Sequence, residues 1–171
     1  MTRWLAVALF ATACTGSDDL FRTDSTDSTD TTDDTDTAEL DPCAAPVSLD
    51  LSALTLPTSG STQSVGGVDL AFSDHAGGFE ADLDTFQCLW IHPGQMTAEL
   101  GCLATQATVP DASSFGAAGN AAFVGLRSGV EVARFDSTGA NPETYTISDA
   151  TGFDTLVLTA GDGIYCELTA E

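Results

Sequence analysis

From Cys43 onward, apolar residues recur at every second position in short runs, and each run stops at a turn signal. Val47, Leu49 and Leu51 alternate with polar neighbours, as do Val68, Leu70 and Phe72. The same period holds in Phe79-Ala81-Leu83, Phe86-Cys88-Trp90, Leu156-Leu158 and Ile164-Cys166-Leu168. A side chain every second residue on one face is the geometry of a strand, not a helix. Between the runs stand TSGS, HAGG, HPGQ, TGANP and AGDG, all rich in residues that turn the chain. No stretch carries a convincing helical period, although 112–122 has room for a short turn. Nine or ten such strands in residues 43–171 predict an all-β, single antiparallel sandwich, large enough to bury a real core.

The segment before Cys43 differs in kind. Residues 15–42 are almost all Thr, Ser and Asp, and ten of the chain's 26 acidic residues lie between Asp18 and Asp41. Such a stretch cannot bury enough apolar surface to offset its ordering entropy, and like charges extend it. It is expected to be a disordered spacer, reaching roughly 90 Å fully extended and about 30 Å as a coil. Its Asp-x-Asp spacings lack the glycine and closing glutamate of a calcium loop. Ahead of it, Arg3 precedes an apolar run over 4–13 (WLAVALFATA). Ten helical residues span about 15 Å, half a bilayer core, which suits a signal peptide and not a transmembrane helix.

Ala11-Thr12-Ala13-Cys14 resembles the lipobox of bacterial lipoproteins, with Ala11 where that family usually has Leu or Val. The resemblance implies cleavage before Cys14, a lipid on its thiol, and a membrane partner. The expected organisation is therefore a signal peptide over 1–13, a lipidated Cys14 with linker over 14–42, and a domain over 43–171. The expected address is the cell envelope, at the outer membrane or cell surface.

Against the 26 acids stand four basic residues, all arginine, for a formal net charge of −22. No basic patch can be built, which excludes nucleic acid as a partner. The four cysteines after Cys14 are Cys43, Cys88, Cys102 and Cys166, an even number in an exported chain. Three pairings exist, with free thiols as the alternative. Cys88 and Cys102 lie symmetrically about Gln95, close to the turn signal His92-Pro93-Gly94-Gln95. A hairpin there would bridge Cys88–Cys102 and leave Cys43–Cys166 to staple the termini. Zinc is disfavoured, since no C-x-x-C spacing or nearby histidine pair exists.

The last third also carries a likeness. Val130, Val132, Phe135, Asp136 and Gly139 form one strand and turn, Thr144 and Thr146 a second strand, and Phe153, Asp154, Leu156 and Leu158 a third, followed by Ile164. Together with Gly66-Gly67-Val68-Asp69-Leu70-Ala71-Phe72, this resembles the galactose-binding-like jelly-roll domains of secreted bacterial proteins. That family is mostly non-catalytic, binds carbohydrate and often holds a structural calcium.

No G-x-S-x-G elbow occurs, and the two histidines, His75 and His92, sit in turn sequences. The best calcium candidates are Asp69, Asp74, Glu80, Asp82 and Asp84, around the SDHAGG turn; the alternative is a solvated acidic face. No other cofactor is implied. Trp90 is a core residue if Phe86 and Cys88 face inward, and a sugar-stacking platform if they face outward. Tyr145 and Tyr165 are the alternative platforms, Tyr165 being expected to point outward. The leading expectation is a surface-anchored, non-catalytic binding or adhesion module for carbohydrate or a surface protein. A structural lipoprotein with no small ligand comes second, and a hydrolase third.

Overall fold

A computed structural model describes residues 39–113, 121–140 and 142–171. The expected signal peptide, Cys14 and the linker up to residue 38 lie outside the described residues. The described residues carry eleven strands and one 3-10 turn, Leu51–Ala53. The strands are β1 (Val47–Asp50), β2 (Thr62–Val65), β3 (Val68–Ser73), β4 (Ala81–Leu83), β5 (Leu89–Ile91) and β6 (Gly94–Asp111). They continue as β7 (Ala122–Arg127), β8 (Val130–Asp136), β9 (Glu143–Ala160), β10 (Gly163–Tyr165) and β11 (Glu167–Ala170). All their pairings are antiparallel.

Two strands organise the rest. β6 and β9 are each 18 residues long and pair along almost their whole length. Their register shifts between Glu99 and Ala104, where Gly101 and Gly152 adopt left-handed backbone. Bulges of this kind bend a strand. On one side of the bend, β6 and β9 pair with β3 and β7, giving a first sheet ordered β2-β3-β6-β9-β7-β8. On the other side, β6 pairs with β10 and β11, which pair with β5 and β1, giving a second sheet edged by β4.

The two sheets enclose one core. Leu70, Phe72, Met96, Phe123 and Leu158 come from the first sheet; Leu49, Val109, Tyr145, Ile147 and Leu168 come from the second. Phe135 of β8 stacks on Tyr145 of β9 at 5.2 Å, which joins the two inner faces. The fold is thus the antiparallel sandwich that period-two patterning predicts.

Hairpin turns match their sequences. Gly66-Gly67 and Ser128-Gly129 each place two successive residues at positive φ, the two-residue turn that suits strand twist. Ser128 is the exception to glycine, and its backbone N–H donates to Asp154 Oδ2 at 2.8 Å.

The disulfides differ from expectation: Cys43 pairs with Cys102, and Cys88 with Cys166. The expected hairpin around Gln95 does not form, because β5 lies in the second sheet whereas the part of β6 that follows it, up to Glu99, pairs with β3 in the first. Gly94 marks the crossing; a Cβ there would stand 2.6 Å from Phe79 and 2.8 Å from Ile91. Leu89 instead lies opposite Tyr165, so the next pair outward along that ladder is Cys88 and Cys166. Cys102 sits at the bend of β6, where the Cys43 N–H donates to the Leu103 carbonyl at 3.0 Å.

Candidate functional site

Where Trp90 points is decided by the β4-β5-β10 ladder. Leu89 and Ile91 are fully buried, so β5 turns its odd positions inward. Trp90 therefore stands on the outer face, between Asp82 on β4 and Ile164 on β10. It is half-buried, not a core residue. Its indole N–H donates to Asp162 Oδ1 at 2.6 Å, from the turn between β9 and β10. Its ring packs against His92 with centroids 4.1 Å apart and planes tilted by 40°. His92 Nδ1 lies 3.4 Å from the same Asp162 oxygen. Glu80 joins this edge, since its carbonyl accepts from the His92 N–H at 2.8 Å.

The face continues across the Cys88–Cys166 bridge to Phe86. Period-two spacing groups this residue with Cys88 and Trp90, and it is 80% exposed. The turn between β4 and β5 explains it. Asp84 Oδ1 accepts from the N–H groups of both Phe86 and Cys88, at 2.9 and 2.8 Å. Gln87 takes a left-handed conformation with φ of 65°, so the strand alternation does not run through the turn. Beside the Phe86 ring lies a groove of about 470 Å³, walled by Asp50, Ser52, Glu167 and the disulfide.

Tyr145 and Tyr165 are not platforms. Both are fully buried. β10 faces Gly163 and Tyr165 inward, and both Cys166 and Glu167 face outward before Leu168 resumes the core side. A bulge at that junction reverses the expected direction of Tyr165. Tyr145 donates its hydroxyl to Asp111 Oδ2 at 3.1 Å. Asp111, itself buried, also accepts from the N–H groups of Ser113 at 2.9 Å and Ile164 at 3.2 Å. Burial pushes the Tyr145 phenol up to about 12, with the Asp111 charge adding to it. Burial raises Tyr165 as well, followed by the neighbouring Tyr145.

The five calcium candidates are not brought together. Asp69 lies on β3, in the first sheet, opposite Glu99. Asp74 accepts from the Ser59 hydroxyl at 2.5 Å. Asp82 lies opposite Trp90 in the second sheet, the Glu80 backbone bonds to His92 and Pro93, and Asp84 caps the Phe86 turn. Period-two spacing aligned Glu80, Asp82 and Asp84, but β3 and β4 belong to different sheets. Among the described residues, no three His, Cys, Asp or Glu side chains form a group that could hold a metal ion.

The His92–Asp162 contact resembles the base and acid of a catalytic triad. Both side chains are partly exposed, at 24% and 37%. Among the described residues, no serine, threonine or cysteine side chain hydrogen-bonds to His92. What the arrangement offers is a half-buried aromatic face with the carboxylates of Asp82 and Asp162 beside it.

No protein-family model matches the chain, and no curated protein matches it. Among solved structures, the chain is similar to a mutant of CBM29-2, a family 29 carbohydrate-binding module studied for ligand recognition. The two share 13% identity over 74% of this chain and 91% of that one, with a TM-score of 0.43.

Proposed function

We propose that the domain is a non-catalytic carbohydrate-binding module, carried on an exported chain that Cys14 anchors through lipid. The observation that carries this reading is the outward Trp90 ring, fixed by Asp162 and His92 on the face of β5. A sugar ring presents apolar C–H groups on its faces and hydroxyls at its rim. An indole offers a broad apolar surface to the former, and neighbouring carboxylates accept hydrogen bonds from the latter. A platform already held in one orientation loses little entropy on binding.

Affinity electrophoresis through gels holding soluble polysaccharides tests the proposal. A neutral β-glucan, a glucomannan, a partly deacetylated chitosan and a pectate make a sufficient panel. At least one should retard the native protein, and Trp90→Ala should migrate unretarded. Free migration in every gel, or retardation that Trp90→Ala leaves intact, sinks the reading.

A further inference from the structure

The geometry points to a cationic subsite beside Phe86, which takes the ammonium group of an amino sugar. It rests on the carbohydrate reading of the Trp90 face and names the class of sugar. Three features converge there.

First, the Phe86 ring is exposed, on a turn whose backbone is held in place. Its turn is pinned by two hydrogen bonds to Asp84 and anchored at its base by the Cys88–Cys166 bridge. An exposed aromatic face attracts a cation through its quadrupole.

Second, the groove wall is acidic without internal compensation. Asp50 and Glu167 lie directly opposite each other on the β1–β11 ladder. Like charges in that position repel. Ser52 donates its N–H and hydroxyl to Asp50 Oδ1, at 3.0 and 2.6 Å, but brings no charge. The described arginines are engaged elsewhere: Arg127 with Glu39, Arg134 with Glu131 and Asp136. Among the described residues, no cationic side chain makes an ion pair with Asp50 or Glu167. A ligand ammonium seated between Phe86 and Glu167 would supply the missing charge.

Third, this groove and the Trp90 platform share one outer face. Cys88, which lines the groove, immediately precedes β5 and is two residues from Trp90. Strand geometry sets that step at about 7 Å. A short oligosaccharide can lay one ring on Trp90 and carry an amino group into the groove. A sugar polymer with amino groups meets both demands in one molecule, whereas a neutral glucan leaves the carboxylate pair uncompensated.

Isothermal titration of the full-length protein with fully deacetylated glucosamine oligomers, and with their N-acetylated counterparts, tests this. The deacetylated series should bind about tenfold tighter at low salt, from one cation–π contact and one ion pair. That preference should collapse in about 1 M NaCl, where charges are screened within about 3 Å. Phe86→Ala and Glu167→Gln, both on exposed side chains, should each reduce the preference severalfold while melting like the native protein. Equal affinity for the two series, or a preference unmoved by both substitutions, overturns the subsite. Binding of a neutral glucan with no gain from amino groups overturns it while leaving the Trp90 reading intact. Failure to bind any glycan overturns both. A lysine-rich peptide that outcompetes the amino sugar would replace the sugar by a protein ligand.

Discussion

The indole N–H of Trp90 reaches across 72 residues of chain to the carboxylate of Asp162, at 2.6 Å. That bond ties the aromatic on β5 to the turn between β9 and β10, and fixes the ring's tilt over the face. Asp162→Asn keeps the shape but weakens a charge-assisted bond. Affinity for the best polysaccharide should fall severalfold, against about thirtyfold or more for Trp90→Ala. Unchanged affinity in Asp162→Asn would show that the bond does not position the ring. Of the chain's two tryptophans, Trp4 lies in the expected signal peptide, so fluorescence of residues 14–171 reports on Trp90 alone.

Peptide mapping without reduction should recover Cys43 linked to Cys102 and Cys88 linked to Cys166. Their sequence separations are 59 and 78 residues. Closing loops of that length stabilises the fold by about 4 kcal/mol each on the chain-entropy model. Cys88→Ser with Cys166→Ser should therefore lower the melting temperature substantially and also loosen the Phe86 turn. Recovery of a Cys88–Cys102 peptide would contradict the strand order given above.

Asp111 satisfies a tyrosine hydroxyl and two backbone donors at the core's edge. Asp111→Ala strands all three, at a cost of roughly 1–3 kcal/mol for each buried donor that water cannot reach. Urea unfolding should show a loss of several kcal/mol, with Asp111→Asn losing less. A change under 1 kcal/mol for Asp111→Ala would mean that solvent replaces the carboxylate.

Alkaline pH should unfold the domain through its tyrosines. The Tyr145 phenol titrates near 12 when folded and near 10 when unfolded, and burial moves Tyr165 in the same direction. Between those values the unfolded chain gives up protons that the folded one keeps. Stability is therefore intact below pH 10 and falls above it, by about 1.4 kcal/mol per pH unit for each tyrosine. Tyr145 and Tyr165 are the chain's two tyrosines. Absorbance at about 295 nm, where tyrosinate absorbs, should thus rise together with loss of β-sheet circular dichroism. A rise well before unfolding would place a phenol in contact with water.

Gly125 lies against the Phe153 ring, where a Cβ would come within 2.8 Å. Gly125→Ala should destabilise the domain by about 1–3 kcal/mol, because the ring is fully buried and has nowhere to move. Thermal melts decide this, and an unchanged midpoint would show slack between the sheets.

Much of the fold was written locally. The run Val68-Leu70-Phe72 forms β3 with all three side chains inside, and the Gly66-Gly67 pair makes the turn before it. What local pattern could not reveal was which sheet each strand joins. The symmetric placing of Cys88 and Cys102 suggested a hairpin, whereas the chain crosses between sheets at Gly94 and Cys88 pairs with Cys166, 78 residues away between β10 and β11. Alternation grouped Phe86 with Cys88 and Trp90 and turned Tyr165 outward, but a left-handed Gln87 and a bulge at Cys166-Glu167 each change the phase. Both irregularities lie on the outer face that carries the candidate site. Trp90 was visible as the aromatic to watch, but its direction depended on Leu89 and Ile91 filling the core.

Strands β6 and β9 run through both sheets without interruption. Neither sheet can melt while the other persists, since each would have to tear two strands in half. The domain should unfold in a single step, with coincident transitions by every probe. The same continuity ties nucleation to partners far apart in the chain, so refolding should be slow for its size, in milliseconds to seconds.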